Sequence, residues 1–427
     1  MKRRLTIVFL LVMCLVFTGT ISANEPVKIT NVTGWGGLVY DVYEGFVEEF
    51  NNSQDEVEVE LIYGGSGGQA GQKVEAMIAS GDTPDLYEIG AQYLAPYTDA
   101  DVIIPMEELI KEDPDVSMDD FYQSQIDQWT YDGKMRTMPW YASVPVWAYN
   151  KEVFEENGVD PDNPPNTWEE FLPALKKVHV QSGKQFRYGV VWTRTLWFYR
   201  VFLHQGGGHM LNKNNGRDGL ADAAVFDQYP EGIEFWASLQ RDHNVASYLP
   251  RGQINNVFLG GKSASVLAST SSSQQLIEGA DFEVGFAPIP YNKERGQRLP
   301  MGAISLAMFR TTPEREEATW KFVKWLHQPE QRARWVKEVG NQSPSKVAVE
   351  LLEEEGFFEE NPHQKMFAEQ LGKTYPDAVH PRFPDIYTIF VDTVEPVFLG
   401  QMEVDEALEM GEKRATKVLM EYKEQHQ

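Results

Sequence analysis

The sequence predicts an α/β fold built as two lobes. Short strands alternate with helices of 10 to 15 residues, a pattern typical of mostly parallel sheets. At 427 residues the chain is longer than one hydrophobic core usually supports. No linker rich in Pro, Ser or Gly divides it. We therefore expect two interleaved lobes, with the chain crossing between them more than once.

The first elements follow from hydrophobic periodicity. Residues 27–32 and 57–63 alternate apolar and polar side chains, which predicts strands. Each is followed by a glycine-rich loop and an amphipathic helix, the first over 40–50 and the second over 70–80. A short strand over 85–89 completes the second unit.

The later elements are predicted from caps, turns and apolar runs. Thr167 is followed by two acidic residues and predicts a helix start, and Pro313 predicts the first position of another helix. Further predicted elements are a mostly helical region at 106–128, a hairpin turn at 131–134, strands at 144–150, 188–191, 264–268 and 302–309, helices at 168–181, 230–243 and 274–279, and a nearly all-helical final hundred residues.

Residues 1–23 have the features of a secretory signal peptide. A basic tip of Lys2, Arg3 and Arg4 precedes an apolar run over 5–17 and a short polar end. This run is shorter than the roughly 20 residues that span a bilayer. We therefore expect cleavage near Ala23 and an exported, soluble, periplasmic protein.

The single cysteine, Cys14, lies inside that apolar run. The mature chain would therefore contain no thiol and no disulfide. A lipoprotein signal needs a small residue before the cysteine, whereas Met13 precedes Cys14. Lipidation of Cys14 stays open as an alternative.

The charge excludes several classes of partner. The chain has 38 Lys plus Arg against 64 Asp plus Glu, a formal charge of −26. A surface this negative repels phosphate backbones and anionic lipid headgroups. The sequence shows no basic patch, so we expect no nucleic-acid partner.

The glycine-rich loop matches two catalytic patterns. Residues 64–68 read G-x-S-x-G, as in the nucleophile elbow of hydrolases. Residues 65–70 read G-x-G-x-x-A and are followed by Glu88, as in a dinucleotide fingerprint. Four glycines and one serine match many patterns by chance. The structural alternative is a loop in which the backbone approaches a ligand or another strand.

Metal and cofactor chemistry have no signature in the sequence. The eight histidines include no HExxH motif and no pair on one helical face, so we expect no metal site and no cofactor. The acidic residues are too numerous for a glycosidase pair to be selected. A secreted glycoside hydrolase therefore stays open as an alternative of another class.

Aromatic residues near predicted turns point to a carbohydrate ligand. Trp35 lies between glycines, Tyr141 follows Pro139 and a tryptophan, and Trp192 and Trp197 follow a predicted strand. Ligands of open α/β sheets bind at such strand ends. Sugar C–H faces stack on aromatic rings, and sugar hydroxyls bond to carboxylates and amides.

Several motifs carry a family resemblance. They are GDTPDLYE at 81–88, PWYASVPVWAYNK at 139–151, GVDP at 158–161, PPNTW at 164–168, NNGRDG at 214–219 and GFFEENP at 356–362. With these motifs the chain resembles the bacterial extracellular solute-binding proteins of family 1, which serve carbohydrate ABC importers. Within that family it resembles the glycerol-3-phosphate-binding proteins most. The resemblance covers nearly all of the chain after residue 23.

The resemblance implies a type II periplasmic-binding-protein fold with a hinge and a central ligand cleft. We expect an N-terminal lobe of residues 24–140 and 302–335 and a C-terminal lobe of residues 144–299 and 340–427. Chain crossings would lie near 138–143, 300–303 and 329–341. The resemblance also implies a monomer that captures a small molecule without catalysis and delivers it to inner-membrane permease subunits.

Ligand positions carry over only in part. Glu88, Ser143, Trp192 and Ser269 match ligand-contacting residues of the glycerol-3-phosphate binders, and Gly302 with Ala303 falls on their glycine pair. Three positions depart: Gly67 and Asn341 each replace a tyrosine, and Tyr387 replaces the arginine that faces the phosphate. Without this arginine a phosphate loses a bidentate cationic partner. Arg194 or Arg382 could substitute, but neither aligns.

We therefore favour a neutral mono- or oligosaccharide as ligand, with a glycerol phosphate or its diester as the runner-up. Hydrogen bonds would come from Glu88, Ser143, Ser269 and Asn341, and stacking from Trp192, Trp35 and Trp197. Gly67 in place of tyrosine would widen the cleft. That width favours a ligand larger than glycerol phosphate.

Overall fold

The computed structural model describes residues 25–66, 68–250 and 252–426. The predicted signal peptide and Gly67 lie outside these residues. Two five-stranded sheets organise the described chain, together with three two-stranded ones. Within these ranges no helix has the length and apolar character needed to cross a bilayer.

The described residues form sixteen strands. They are β1 (Val27–Thr33), β2 (Val57–Tyr63), β3 (Leu86–Ile89), β4 (Thr130–Tyr131), β5 (Lys134–Met135), β6 (Met138–Ser143), β7 (Pro145–Asn150), β8 (Val180–Ser182), β9 (Gln185–Arg187), β10 (Val190–Thr193), β11 (Ala246–Leu249), β12 (Ser265–Ser269), β13 (Val284–Pro288), β14 (Leu299–Pro300), β15 (Gly302–Met308) and β16 (Thr374–Tyr375). The first large sheet has the order β2-β1-β3-β15-β6, and the second has the order β11-β10-β12-β7-β13.

Helices pack against both sheets. They are α1 (Leu38–Ser53), α2 (Gln69–Ser80), α3 (Leu94–Asp99), α4 (Met106–Glu112), α5 (Gln123–Trp129), α6 (Lys151–Glu156), α7 (Trp168–Val178), α8 (Leu196–Gly206), α9 (Asn212–Gly216), α10 (Glu231–Arg241), α11 (Ile254–Leu259), α12 (Ser273–Gly279), α13 (Pro313–Leu326), α14 (Pro329–Val339), α15 (Lys346–Glu354), α16 (Phe357–Glu360), α17 (Pro362–Gln370), α18 (Phe383–Phe398) and α19 (Val404–His426). The α9 segment is a left-handed turn, because Lys213, Asn214 and Asn215 have φ of 52 to 56°.

Most predicted elements are confirmed, and two differences have local causes. The region 106–128 is mostly helical as predicted but is divided into α4, a short 3-10 turn and α5, because Pro114 follows α4 and disfavours a helical residue before it. The helix that begins after Thr167 ends at Val178, and the chain continues as the β8–β9 hairpin. Thr167 caps this helix as expected, and it forms a capping box with Glu170.

Helices bury apolar residues in both lobes. In the first lobe α1 buries Tyr43, Phe46 and Phe50 against the sheet and against α13 and α14. In the second lobe α8 is buried on almost every side and packs against α10 and α18. Its buried residues include Arg200, His204 and Gln205, and Arg200 pairs with Asp377 in this enclosed position.

Three chain segments meet where the sheets adjoin. β6 ends at Ser143 and β7 begins at Pro145, so one residue separates the two sheets along the chain. β15 returns to the first sheet with Gly302 opposite Ser143. Gln342 forms two backbone hydrogen bonds with Ala142, of 2.7 and 2.9 Å. These segments form the hinge region between the lobes.

The α8–α10 contact depends on a glycine. A Cβ at Gly232 would overlap the carbonyl oxygen of Phe202. We expect Gly232→Ala to lower the free energy of unfolding by about 1–3 kcal/mol, because the backbone atoms cannot move aside. Urea denaturation measures this loss. Gly372→Ala is the matched control, since the space around that position is open, and equal losses in both variants would contradict the packing argument.

Candidate ligand-binding cleft

The centre of the first-lobe site is Glu88, at the carboxyl end of β3. The residue is 4% exposed, and Oε2 accepts a hydrogen bond from the Thr33 hydroxyl of β1. Oε1 has no hydrogen-bond partner among the described residues. A buried acceptor with an unused oxygen is suited to a ligand hydroxyl.

The surroundings of Glu88 determine its charge. Burial raises the pKa of Glu88 to about 7, while the bonded Thr33 hydroxyl and the nearby Trp140 indole oppose that rise. No cation contributes to the shift. Glu88 therefore changes its protonation state near neutral pH.

A β-bulge in β6 places two aromatic residues next to Glu88. β15 pairs Ile304 with Tyr141 and Ser305 with Pro139, so Trp140 is an extra residue in β6. The rings of Trp140 and Tyr141 both contact Trp335 of α14, with centroids 5.0 and 5.1 Å away. The bulge thus places two consecutive aromatic side chains on the face of the sheet that carries Glu88.

A buried arginine of α14 supports the bulge. Arg332 Nη2 donates to the Pro139 carbonyl oxygen at 2.9 Å, and its guanidinium lies over the Phe121 ring at 5.2 Å. Arg332 is 2% exposed, and burial lowers its pKa to about 9. No local pattern in the sequence marks this residue, because its role depends on the register of a distant strand.

Trp35 lies at the exposed edge of the Glu88 site. It is 40% exposed, and it is the only exposed tryptophan of the eleven in the chain, all of which are described. Its backbone N–H donates to Thr33 Oγ1 at 3.3 Å. Its ring meets Tyr141 edge-on at a centroid distance of 6.4 Å. One face of the indole is thus available beside Glu88.

Residues from both lobes meet at the hinge. Ser143 Oγ donates to the Gly302 carbonyl at 3.1 Å. A Cβ at Gly302 would lie 2.5 Å from Ser143 Oγ and 3.4 Å from the six-membered ring of Trp197. Trp197 belongs to the first turn of α8, and its indole N–H has no partner among the described residues. Trp197 therefore covers the crossing point of the two strands.

The remaining predicted positions lie around this hinge. Ala303 pairs with Ala142 in the sheet. Asn341 precedes the backbone bridge to Ala142 and is 4% exposed, and its Oδ1 has no partner within the described chain. Ser269 ends β12, and its Oγ lies 2.8 Å from the Ser271 hydroxyl. These side chains belong to the edges from which ligands of α/β sheets are bound.

Two predicted residues lie elsewhere. Trp192 is fully buried, and its ring contacts Phe202, Trp236 and Phe398 in the second-lobe core. The predicted stacking of a sugar on Trp192 therefore has no exposed ring face to use in this structure. Tyr387 lies on α18 and is 40% exposed. The structure does not bring either residue next to Glu88.

The arginines that could replace the missing phosphate partner have carboxylate partners. Arg194 pairs with Glu395, and Arg382 Nε lies 2.7 Å from Asp385 Oδ2. Arg200, which is buried, pairs with Asp377. A phosphate would have to compete with these carboxylates for each guanidinium.

The described residues contain no group of three or more His, Cys, Asp or Glu side chains able to hold a metal ion.

Thr33 belongs to the site but was not predicted from the sequence. A polar residue at the end of a strand and just before a glycine loop is the signal that could have identified it. Tyr43 and Asn31, whose side chains hydrogen-bond at 2.6 Å beneath the site, carry no such signal.

Comparison with known proteins agrees with this architecture. The chain matches the family described as "Bacterial extracellular solute-binding protein" over residues 45–367. It is 25% identical to the sn-glycerol-3-phosphate-binding periplasmic protein UgpB of Yersinia pseudotuberculosis, covering 96% of this chain and 97% of that protein. The Salmonella paratyphi A protein of the same name is 26% identical, with 96% of each chain covered.

Solved structures show the same fold. The cyclic alpha-maltosyl-1,6-maltose binding protein of Arthrobacter globiformis superposes with a TM-score of 0.80 at 24% identity, covering 92% of this chain and 99% of that one. UgpB from Mycobacterium tuberculosis, solved in complex with glycerophosphocholine, gives 0.79 at 21% identity, covering 94% and 99%.

The two-lobe fold with a cleft at its hinge thus defines the class, which is the substrate-binding protein of an ABC importer. The chain belongs to the bacterial extracellular solute-binding protein family. Its relatives in that family are solute-binding proteins rather than enzymes.

The raised pKa of Glu88 predicts a pH-dependent stability. A carboxyl group whose pKa rises from 4.5 to about 7 on folding stabilises the fold at low pH, and this contribution is lost as the pH rises towards 7. We expect wild type to lose on the order of 2–3 kcal/mol relative to Glu88→Gln between pH 4.5 and pH 8. Urea denaturation across this range measures the difference. A difference that stays constant with pH would contradict the assignment.

The hydrogen bond from Arg332 to the Pro139 carbonyl at the bulge predicts a second effect on the free energy of unfolding. Arg332→Leu leaves the Pro139 carbonyl without its guanidinium donor, so we expect a loss of about 2–3 kcal/mol. Arg334→Leu is the matched control on the same helix, since Arg334 forms exposed ion pairs with Glu49 and Glu338 and should cost less than about 1 kcal/mol. If the control lost as much stability as Arg332→Leu, the bulge would not depend on Arg332.

Proposed function

We propose that the protein binds a neutral mono- or oligosaccharide in the cleft between its two lobes. The carrying observation is Glu88 Oε1, which has no partner among the described residues and belongs to a carboxyl group near Tyr141 and the exposed Trp35. A carboxyl oxygen accepts a sugar hydroxyl, while an aromatic face stacks on the C–H face of the ring. The site thus has both kinds of group that a polyol requires.

The electrostatics of the cleft favour a neutral ligand over a phosphate. Glu88 carries negative charge above neutral pH and would repel a phosphate nearby. Arg194 and Arg382, the two candidate replacements for the missing arginine, are already paired with carboxylates. Charge-assisted bidentate bonds to phosphate would therefore require these ion pairs to break first.

A glycerol phosphate or its diester is the second candidate. The observation in its favour is the similarity over 96% of the chain to proteins named for glycerol 3-phosphate binding. Arg194 lies in an exposed ion pair, with 41% of its side chain accessible. Exposed ion pairs contribute little to stability, so a phosphate could exchange with Glu395 at low energetic cost.

The wider role follows from the family. We propose an exported monomer that works in the periplasm and delivers its ligand to inner-membrane permease subunits, without catalysis. Its lobes would comprise residues 24–140 with 302–335 and residues 144–299 with 340–427. The proposed ligand contacts are Trp35, Glu88, Tyr141, Ser143, Trp197, Ser269, Gly302, Ala303 and Asn341. Gly67 and Tyr387 stay in the proposal only as positions that the family resemblance implies.

A thermal-shift screen distinguishes the two ligand classes. Residues 24–427 are tested against neutral sugars, glycerol 3-phosphate and glycerophosphocholine. We expect stabilisation by a neutral sugar, because ligand at 100 times its dissociation constant adds about 2.7 kcal/mol, a shift of at least about two degrees at this chain length. Stabilisation by the phosphate compounds alone would overturn the neutral-sugar proposal.

The same sugar then tests the site and the absence of catalysis. Trp35→Ala should weaken its binding by about three- to tenfold, because a stacking contact contributes about 0.5–1.5 kcal/mol. Phe186→Ala, at a similarly exposed aromatic residue on the β8–β9 hairpin, is the matched control. Chromatography after prolonged incubation should return an oligosaccharide intact, whereas released shorter sugars would support the glycoside hydrolase alternative.

A further inference from the structure

A group of aromatic residues begins at Trp35 of the Glu88 site and continues away from that site on the first lobe. It consists of Trp35, Tyr40 and Tyr63, and we call it the aromatic rim. Tyr63 is the last residue of β2, at the edge of the sheet, and it is 47% exposed. Leu38 beside the rim is 59% exposed. Exposed apolar groups concentrated at one place on a protein surface commonly mark a binding site.

The sheet register places Tyr63 in line with the site. β1 pairs Thr33 with Tyr63 on one side, and the Thr33 hydroxyl donates to Glu88 on the other. The side chains of Tyr63, Thr33 and Glu88 therefore point to the same face of three adjacent strands. Neighbouring strands are about 4.8 Å apart, so Tyr63 lies about 10 Å from Glu88 along this row. That separation exceeds the size of one sugar ring.

The rim is held in place before any ligand binds. The Tyr40 and Tyr63 rings meet edge-on at 5.8 Å, and the Tyr40 hydroxyl donates to Glu44 Oε1 at 3.0 Å. A Cβ at Gly36 would lie 3.3 Å from the Tyr63 hydroxyl, so a glycine there allows Tyr63 to lie close against the 34–37 loop. An aromatic ring fixed in this way loses little conformational entropy on binding.

We propose that the aromatic rim is a second sugar subsite and that the ligand is therefore an oligosaccharide rather than a monosaccharide. One unit of the chain lies at Glu88 and Tyr141, and the chain runs outward past Trp35 so that a later unit contacts the Tyr63 ring. This inference rests on the proposed function and adds to it the length and direction of the ligand.

Chain-length dependence of affinity tests the subsite. Calorimetric titrations use malto-, cello- and xylo-oligosaccharides of one to six units with wild type, Tyr63→Ala and Tyr63→Phe. In the series that binds, wild-type affinity should increase with length. Tyr63→Ala should weaken the longer members by about three- to tenfold and leave the shortest binding member unchanged. Tyr63→Phe keeps the ring and should bind like wild type.

The outcomes separate this inference from the proposed function. Phe186→Ala is again the control for a lost exposed aromatic residue. If wild type binds only a monosaccharide, or if Tyr63→Ala binds every length as wild type does, the subsite is overturned while sugar binding stands. An equal loss at every length would show that Tyr63 acts on the fold, which also overturns the subsite. If no sugar of any length binds, the proposed function is overturned, and the subsite is overturned with it.

Discussion

The architecture depends on the close approach of two strands at the hinge. β6 and β15 leave the first sheet side by side, with Ser143 opposite Gly302. A side chain at Gly302 would collide with the Ser143 hydroxyl and press on Trp197 from the other lobe. β6 continues through Val144 into β7 of the second sheet, so this contact lies where the lobes join and next to the cleft between them.

The ligand site follows from that constraint. The carboxyl ends of β1 and β3 bring Thr33 and Glu88 to the hinge, and the bulge at Trp140 adds Tyr141 on the same face. Arg332 satisfies a carbonyl at this bulge from the neighbouring helix. A buried carboxyl without a cation is costly unless it is protonated or hydrogen-bonded, and its pKa near neutrality reflects that cost. The site thus combines polar acceptors with aromatic faces in a way that suits sugars.

Much of the fold could be predicted from local patterns, because alternation, caps and glycine loops act over a few residues. Thr167 and Pro313 begin helices as expected. Side-chain placement was harder to predict. Trp192 follows a strand like a ligand-stacking residue, yet α8, α10 and α18 enclose it. The roles of Arg332 and Tyr63 depend on strand register, which only the folded chain defines.

The most direct test of this account is a crystal structure of the protein with the neutral sugar that stabilises it most. The account predicts a sugar in the cleft with one hydroxyl bonded to Glu88 Oε1 and one ring against Trp35 or Tyr141. The ion pair between Arg194 and Glu395 would be unchanged in that complex. A ligand bound away from Glu88, or an Arg194 released from Glu395 to hold an anion, would contradict the account.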